Sequence, residues 1–163
     1  MVRDAVFASK VVSYAQGFAL IRAASQSHGW ALNFGAIAMT WRSGCIIRSG
    51  FLGDIRRSFE ADPALPNLLV APFFAERLAT KQQGWRTVCA RAVMAGIPIP
   101  AMSSALAYYD GYRSARLPAY LIQAQRDYFG AHTYERIDAP RGQAFHTNWT
   151  GHGGSTTSTP PSH

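Results

Sequence analysis

The stretch RDAVFASKVVSYAQGFALIRAASQSH, residues 3–28, sets the fold class. Val6, Phe7, Val11, Tyr14, Phe18, Ile21 and Ala24 recur at steps of three and four, the spacing that lines one face of an α-helix. Gly29 follows the last periodic residue, where a helix ends readily because glycine accepts a left-handed turn. Outward from this stretch the same period returns over residues 34–42 and 46–61, with Gly44 between them. The later of the two stops before Asp62-Pro63, since the residue ahead of a proline avoids the helical region. Short helices are expected at 72–80 and 85–95. Gly96-Ile97-Pro98-Ile99-Pro100 reads as a stop and a turn. Ser103 or Ser104 caps or sits early in the next helix, which reaches about residue 113. Pro118 suits the first turn of a last helix running to Phe129, with Gly130 as its terminator. No period-two alternation is long enough for a strand, so the expected fold class is all-α.

Composition bounds the function. The chain has 163 residues, 48% hydrophobic and 15% charged, enough to bury a core. The formal charge is +7, and every basic residue except Lys10 and Lys81 is an arginine. Arginine suits two-point recognition of carboxylate or phosphate, so an anionic partner fits, and so does a charge that only aids solubility. Cys45 and Cys89 form neither a disulfide framework nor a metal cluster, which fits a reducing, cytoplasmic setting. Arg3, Asp4, Lys10 and Arg22 interrupt every early apolar run, so neither a signal peptide nor a membrane span is expected. The first helix starts with only Met1 and Val2 ahead of it and no capping residue. The expectation is that preceding chain is missing.

Residues 1–136 carry the helical periodicity, and 137–163 read as an extended, irregular tail. Its last eleven residues, GGSTTSTPPSH, have the composition of a segment that orders only against a partner. Phe145 and Trp149 are too apolar for a linker and are expected to dock.

Several constellations can be weighed for chemistry. No glycine-rich phosphate loop stands between a strand and a helix, and Gly151-His152-Gly153-Gly154 reads as a flexible turn. His132, His146, His152 and His163 have no partner at a metal-ligand spacing, so no metal site is expected. Ser103, Asp110 and His132 lack the frame of a nucleophilic serine. Arg42, Arg48, Arg56 and Arg57 form an arginine group that reads as a solvated or subunit-contact face. No nucleic-acid motif is present. Tyr108, Tyr109 and Tyr112 read as packing.

The most specific constellation is Arg126-Asp127-Tyr128-Phe129-Gly130-Ala131-His132-Thr133-Tyr134-Glu135. Arg126 lies in the last turn of a helix and His132 just past a glycine break that frees it to swing beside Arg126. Together they suit a small anion such as a sugar phosphate, without help from the helix dipole, which is negative at this end. The alternative is that Arg126 offsets that dipole and pairs with Asp127 or Glu135.

These residues resemble the 6-phosphogluconate dehydrogenase family. LIQAQRDYFGAHTYE at 121–135 is similar to that family's late helix and following turn, and FHTNWTGHGG at 145–154 to its tail. SYAQGF at 13–18, WRSGCIIRS at 41–49, AGIPIP at 95–100 and ALAYYDGYR at 105–113 agree as well. The resemblance implies an enzyme that oxidises and decarboxylates 6-phosphogluconate to ribulose 5-phosphate while reducing NADP, as a homodimer. It implies an all-helical domain that builds the dimer, here its C-terminal half. The tail of each subunit would cross into its partner. Arg126 and His132 become the implied substrate contacts, donated across the dimer, with Arg126 gripping the phosphate and His132 bonding the phosphate or nearby sugar oxygens. Ser158 and Thr159 fall in the end segment implied to touch cofactor. The family's NADP-binding Rossmann domain and its general-base lysine and general-acid glutamate have no counterpart in these residues, so the chain is expected to be inactive alone. Apolar positions of the first helix that further helices would cover are expected to be exposed. The resemblance also leaves room for a non-catalytic module that pairs with a full-length dehydrogenase subunit, or for a truncated remnant.

Overall fold

A computed structural model describes residues 1–151. The first helix, α1, is Val2–His28. Gly29 ends it at φ 66°, its N–H bonded to Ser25 O, and Ser25 Oγ donates to Trp30 O at 2.6 Å. The buried face includes Val11 and Phe18 of the expected stripe, with Phe7 and Tyr14 packed against the core, but it also takes in small residues beside them. Ala5, Ala8, Val12 and Ala15 have no exposed surface, whereas Val6 is 47% exposed. Periodicity of large side chains shows only part of this face, since close helix packing also buries small ones: alanine lets a second helix axis approach.

Asn33 opens α2 (Phe34–Thr40) by accepting the Ala36 N–H on its side chain at 2.9 Å. The third helix, α3, is Leu52–Ala61, six residues shorter at its start than the sequence suggests. Residues 45–51 turn instead: Lys10 Nζ bonds the Arg48 carbonyl and the Tyr14 hydroxyl bonds the Ile47 carbonyl. Side chains thus take the carbonyls that a helical ladder would use. A 3-10 turn at Leu68–Val70 follows. It is opened by buried Asn67, whose amide also donates to the Tyr108 hydroxyl at 2.9 Å.

The two short helices expected at 72–80 and 85–95 are one, α4 (Pro72–Met94). Gly84 does not break it. A lone helical glycine costs about 1 kcal/mol relative to alanine, too little to stop a helix held by packing. The last helix of this part, α5, is Pro100–Arg113. It starts at the proline rather than at a serine cap, and the Ser103 hydroxyl bonds back to the Ile99 carbonyl at 3.0 Å. Both α4 and α5 pack on α1, and α3 packs on α2. Phe51 meets the edges of Phe7, Tyr14 and Phe74 at 5.3–6.1 Å between centroids. Trp85 is fully buried beside Tyr109. Of the tyrosine run of α5, Tyr108 and Tyr109 pack against the core, as expected, while Tyr112 is exposed and stacks on Tyr108.

The chain forms two compact units, Met1–Arg113 and Ser114–His163. In the second, α6 is Ala119–Gly130. A two-residue antiparallel ladder joins β1 (Tyr134–Glu135) to β2 (Ala144–Phe145), with Tyr134 opposite Phe145. Strands this short leave no alternation to read, and the class remains all-α. Helical period gives out near residue 136, but compactness divides the chain earlier because residues 144–149 fold back on α6. No helix among the described residues is long and apolar enough to cross a membrane.

Candidate functional site

The second unit is organised by a charge turned inward. Asp127, in the last turn of α6, has no exposed surface, while Leu121 is 75% and Phe129 76% exposed on the same helix. A buried carboxylate requires donors on both oxygens. Oδ1 receives the Thr133 N–H at 3.0 Å and His146 Nδ1 at 2.9 Å. Oδ2 receives the Thr147 N–H at 3.0 Å and the Trp149 indole Nε1 at 2.8 Å. A carboxylate only accepts, so His146 carries a proton on Nδ1. Burial alone would raise the Asp127 pKa. The Thr147 N–H, His146 and the Trp149 indole outweigh it and hold the carboxyl below the usual carboxylate range.

The turn after α6 follows from this arrangement. Gly130 is helical, and the left-handed residue that ends the helix is Ala131, at φ 52°. Thr133 is also left-handed, at φ 60°. Each costs roughly 1–2 kcal/mol in a residue with a Cβ, so the surroundings must impose it. Ala131 N–H bonds the Asp127 carbonyl at 2.9 Å, Thr133 N–H bonds the Asp127 carboxylate, and the Gln123 amide bonds the Thr133 carbonyl. The glycine expected to act as a kink acts as a floor. A Cβ at Gly130 would stand 3.2 Å from both Cδ2 and Nε2 of His132.

His132 is exposed and lies on the wall of a concavity of about 1090 Å³ that Arg116, Tyr120, Gln123, Tyr134, Arg136, Arg141 and Trp149 also line. Arg126 is exposed and off that wall, but its Nη1 donates at 3.1 Å to Oε1 of Gln123, which is on it. Neither acid offered as an alternative partner for Arg126 serves as one. Asp127 faces the tail, and Glu135 pairs with Arg141 at 3.0 Å. Ser158 and Thr159 lie outside the described residues. The docking expected of Phe145 and Trp149 is onto the chain's own second unit: Phe145 stacks on Tyr134, and Trp149 stands edge-on to Tyr128 at 6.3 Å.

The first unit carries its own anion-suited surface. Arg42, Arg48, Arg56 and Arg57 line a concavity of about 440 Å³ beside the N-terminus of α3. Arg57 is paired with Asp54 and Arg56 with Glu60, while Arg42 and Arg48 form no ion pair among the described residues. Among the described residues no group of three His, Cys, Asp or Glu could hold a metal ion. None of the described residues forms the strand, glycine loop and helix of a dinucleotide site. Sequence reading missed Asp127, His146 and Thr147. The one signal that could have found them is the docking expected of the Phe145–Trp149 segment.

The chain is similar to known proteins over most of its length. Residues 1–149 match the family model described as 6-phosphogluconate dehydrogenase, C-terminal domain. The decarboxylating 6-phosphogluconate dehydrogenase of Haemophilus influenzae is 60% identical over 97% of this chain and 33% of its own length. That of sheep, Ovis aries, is 57% identical over 96% of this chain and 32% of its own length. A solved Plasmodium falciparum 6-phosphogluconate dehydrogenase, studied apo and in complex with its cofactor NADP+ and its substrate 6-phosphogluconate, superposes with a TM-score of 0.83. It is 40% identical and covers 90% of this chain and 31% of its own. The chain thus spans about a third of the length of the relatives it matches. Over that span, the chain belongs to the 6-phosphogluconate dehydrogenase family.

Proposed function

We propose that this chain is the substrate-phosphate-contacting and pairing portion of a decarboxylating 6-phosphogluconate dehydrogenase, a cytoplasmic homodimer that converts 6-phosphogluconate to ribulose 5-phosphate. The observation that carries the reading is the exposed His132, held at a fixed turn beside a wide concavity, with Gln123 bonding both Arg126 and the carbonyl of the adjacent Thr133. A forked cation and an imidazole can share the oxygens of one phosphate. Arg126 and His132 are the substrate contacts in this reading, donated to the partner subunit. Arg42 and Arg48, which form no ion pair among the described residues at the α3 concavity, are further cations of the same chemical kind.

NADP is the hydride acceptor of the proposed whole enzyme. The described residues do not fit it, and no role toward it is assigned to them. Hydride transfer and decarboxylation need a general base and a general acid of tuned pKa. Asp127 serves as neither, because donors from the tail and the turn occupy both its oxygens. The chain alone is therefore expected to be inactive.

The test is complementation. The chain is mixed with the separately produced N-terminal two-thirds of a relative, and 6-phosphogluconate-dependent NADPH formation is followed. Activity is expected in the mixture and from neither part alone. Arg126→Ala should lower kcat/KM by roughly 10–100-fold, the worth of a charge-assisted contact. A well-folded, associated mixture without activity, or one indifferent to Arg126→Ala, refutes the reading. The outward apolar face of α6 favours a second reading, a non-catalytic module that pairs with full-length dehydrogenase. Co-purification with such a subunit without any change in rate would support it.

A further inference from the structure

His132 makes no side-chain hydrogen bond among the described residues; its ring only rests over Gly130. Its direction is therefore set by the backbone of residues 131–133. That backbone is left-handed on both sides of His132 and is held by bonds to Asp127. The same carboxylate binds His146, Thr147 and Trp149. Among the described residues, Asp127 is thus the fully buried side chain to which both the turn and the tail segment are tied, beside the Tyr134–Thr147 bond and the β1–β2 ladder. Successive helix positions are about 100° apart, so Asp127 can face inward while Arg126 stays outward.

We propose that Asp127 is a positioning residue, locking residues 146–149 to the His132 turn so that the imidazole is presented in one orientation to a sugar phosphate. The inference rests on reading His132 as a phosphate contact. Asp127 itself never touches the ligand. Its effect should appear in substrate affinity, travel through His132, and spare the cofactor.

The test substitutes Asp127→Asn, which keeps shape. Whichever way the amide turns, its NH2 meets two of the four donors, so one side of the lock opens. In the complemented enzyme, KM for 6-phosphogluconate should rise about tenfold, the loss of one charge-assisted contact. The kcat and the KM for NADP should stay within about twofold, inside the spread of a single weak contact. Adding Asp127→Asn to His132→Ala should cost nothing further. An unchanged KM, or a full additional loss in the double variant, overturns the proposal. If His132→Ala alone leaves KM unchanged, the phosphate reading fails instead.

The lock can also be read in the chain by itself. Asp127→Asn should speed hydrogen exchange of the Thr133 amide or of the Trp149 indole, whichever the NH2 comes to face, at least about tenfold, with the amides of residues 1–113 unaffected. Continued protection at both sites overturns it. Should Asp127→Asn fail to fold, Trp149→Phe removes one donor. It should shift the same KM and Thr133 exchange in the same direction by at least about two- to threefold, a fraction of that bond's worth because Thr133 keeps its own bond to Oδ1, and no shift overturns the proposal.

Discussion

The indole Nε1 of Trp149 donates to Oδ2 of Asp127 at 2.8 Å, a bond that reaches across 22 positions of chain to fasten the tail onto the inner face of α6. Trp149→Phe keeps an aromatic ring against Tyr128 and removes only the donor. The carboxylate then keeps three partners, so the loss is that of one hydrogen bond to a charged group, about 1.5–3 kcal/mol. Amide exchange over 144–149 should accelerate by roughly tenfold or more, while exchange in α1 and α4 stays unchanged. Equal protection in the variant would mean that the bond contributes nothing to the docking.

Acid should release the same segment. Asp127 is held below the ordinary carboxyl range in the fold, whereas unfolded it titrates near the usual value of about 3.9. Between those values the unfolded form binds more protons. The contribution of Asp127 to stability is therefore complete above the unfolded value and is lost as pH falls toward the folded one. Trp149 fluorescence followed from pH 6 down to pH 2 should report detachment of residues 144–149 below pH 4. Detachment centred well above pH 4 would contradict a depressed carboxyl.

Gly130→Ala separates folding from binding. Gly130 is helical, so alanine gains up to about 1 kcal/mol of helix propensity. Its Cβ, however, would stand 3.2 Å from the His132 ring, and the exposed imidazole is the part free to move. The melting temperature is expected to hold or rise while affinity for 6-phosphogluconate in the complemented enzyme falls. Parallel loss of both would show that the ring is not the yielding partner.

The fold was largely legible because it depends on local rules. Gly29 and Pro118 bound their helices to within a residue or two of where the period and breakers place them, while Pro100, read as part of a turn, opens its helix instead. Where reading failed, distant contacts had overridden local signals. Gly84 looks like a break but lies against Asp4 and Met1, where α1 and α4 pack together. Residues 46–51 look helical, but side chains from α1 hold their carbonyls. The site was half legible. His132 could be picked out by residue type and by the turn that follows α6. Asp127 could not, since an acid beside an arginine in a last helical turn reads as a solvated pair. Three of its four donors lie 19–22 positions away, and no local pattern records them.

Gly84→Ala offers a stabilised form of the first unit. A Cβ there would lie 3.4 Å from Asp4 Oδ2 and Met1 Cα, ordinary van der Waals distance, and the backbone is already helical. The helix-propensity gain of up to about 1 kcal/mol should therefore survive, raising the melting temperature by roughly 2–4 °C. A lower melting temperature would mean that α1 and α4 cannot accept even a methyl group between them.

The outward face of α6 yields the last prediction. Leu121 and Phe129 stand eight residues apart, a little over two turns of helix and so about 80° apart around its axis, and both are more than 70% exposed. Tyr120, Ile122 and Tyr128 extend this apolar surface. A helix that turns its carboxylate inward and its large apolar side chains outward is arranged for a partner rather than for water. Leu121→Lys with Phe129→Lys should leave the circular dichroism and the Asp127 bonds intact, because neither side chain supports the unit's interior. Sedimentation velocity should show weaker association of the doubly substituted chain, with itself and with a full-length relative, by roughly 2–4 kcal/mol, the burial worth of two large apolar side chains discounted for binding costs. Unaltered association would place the pairing surface elsewhere on the chain and leave this face unexplained.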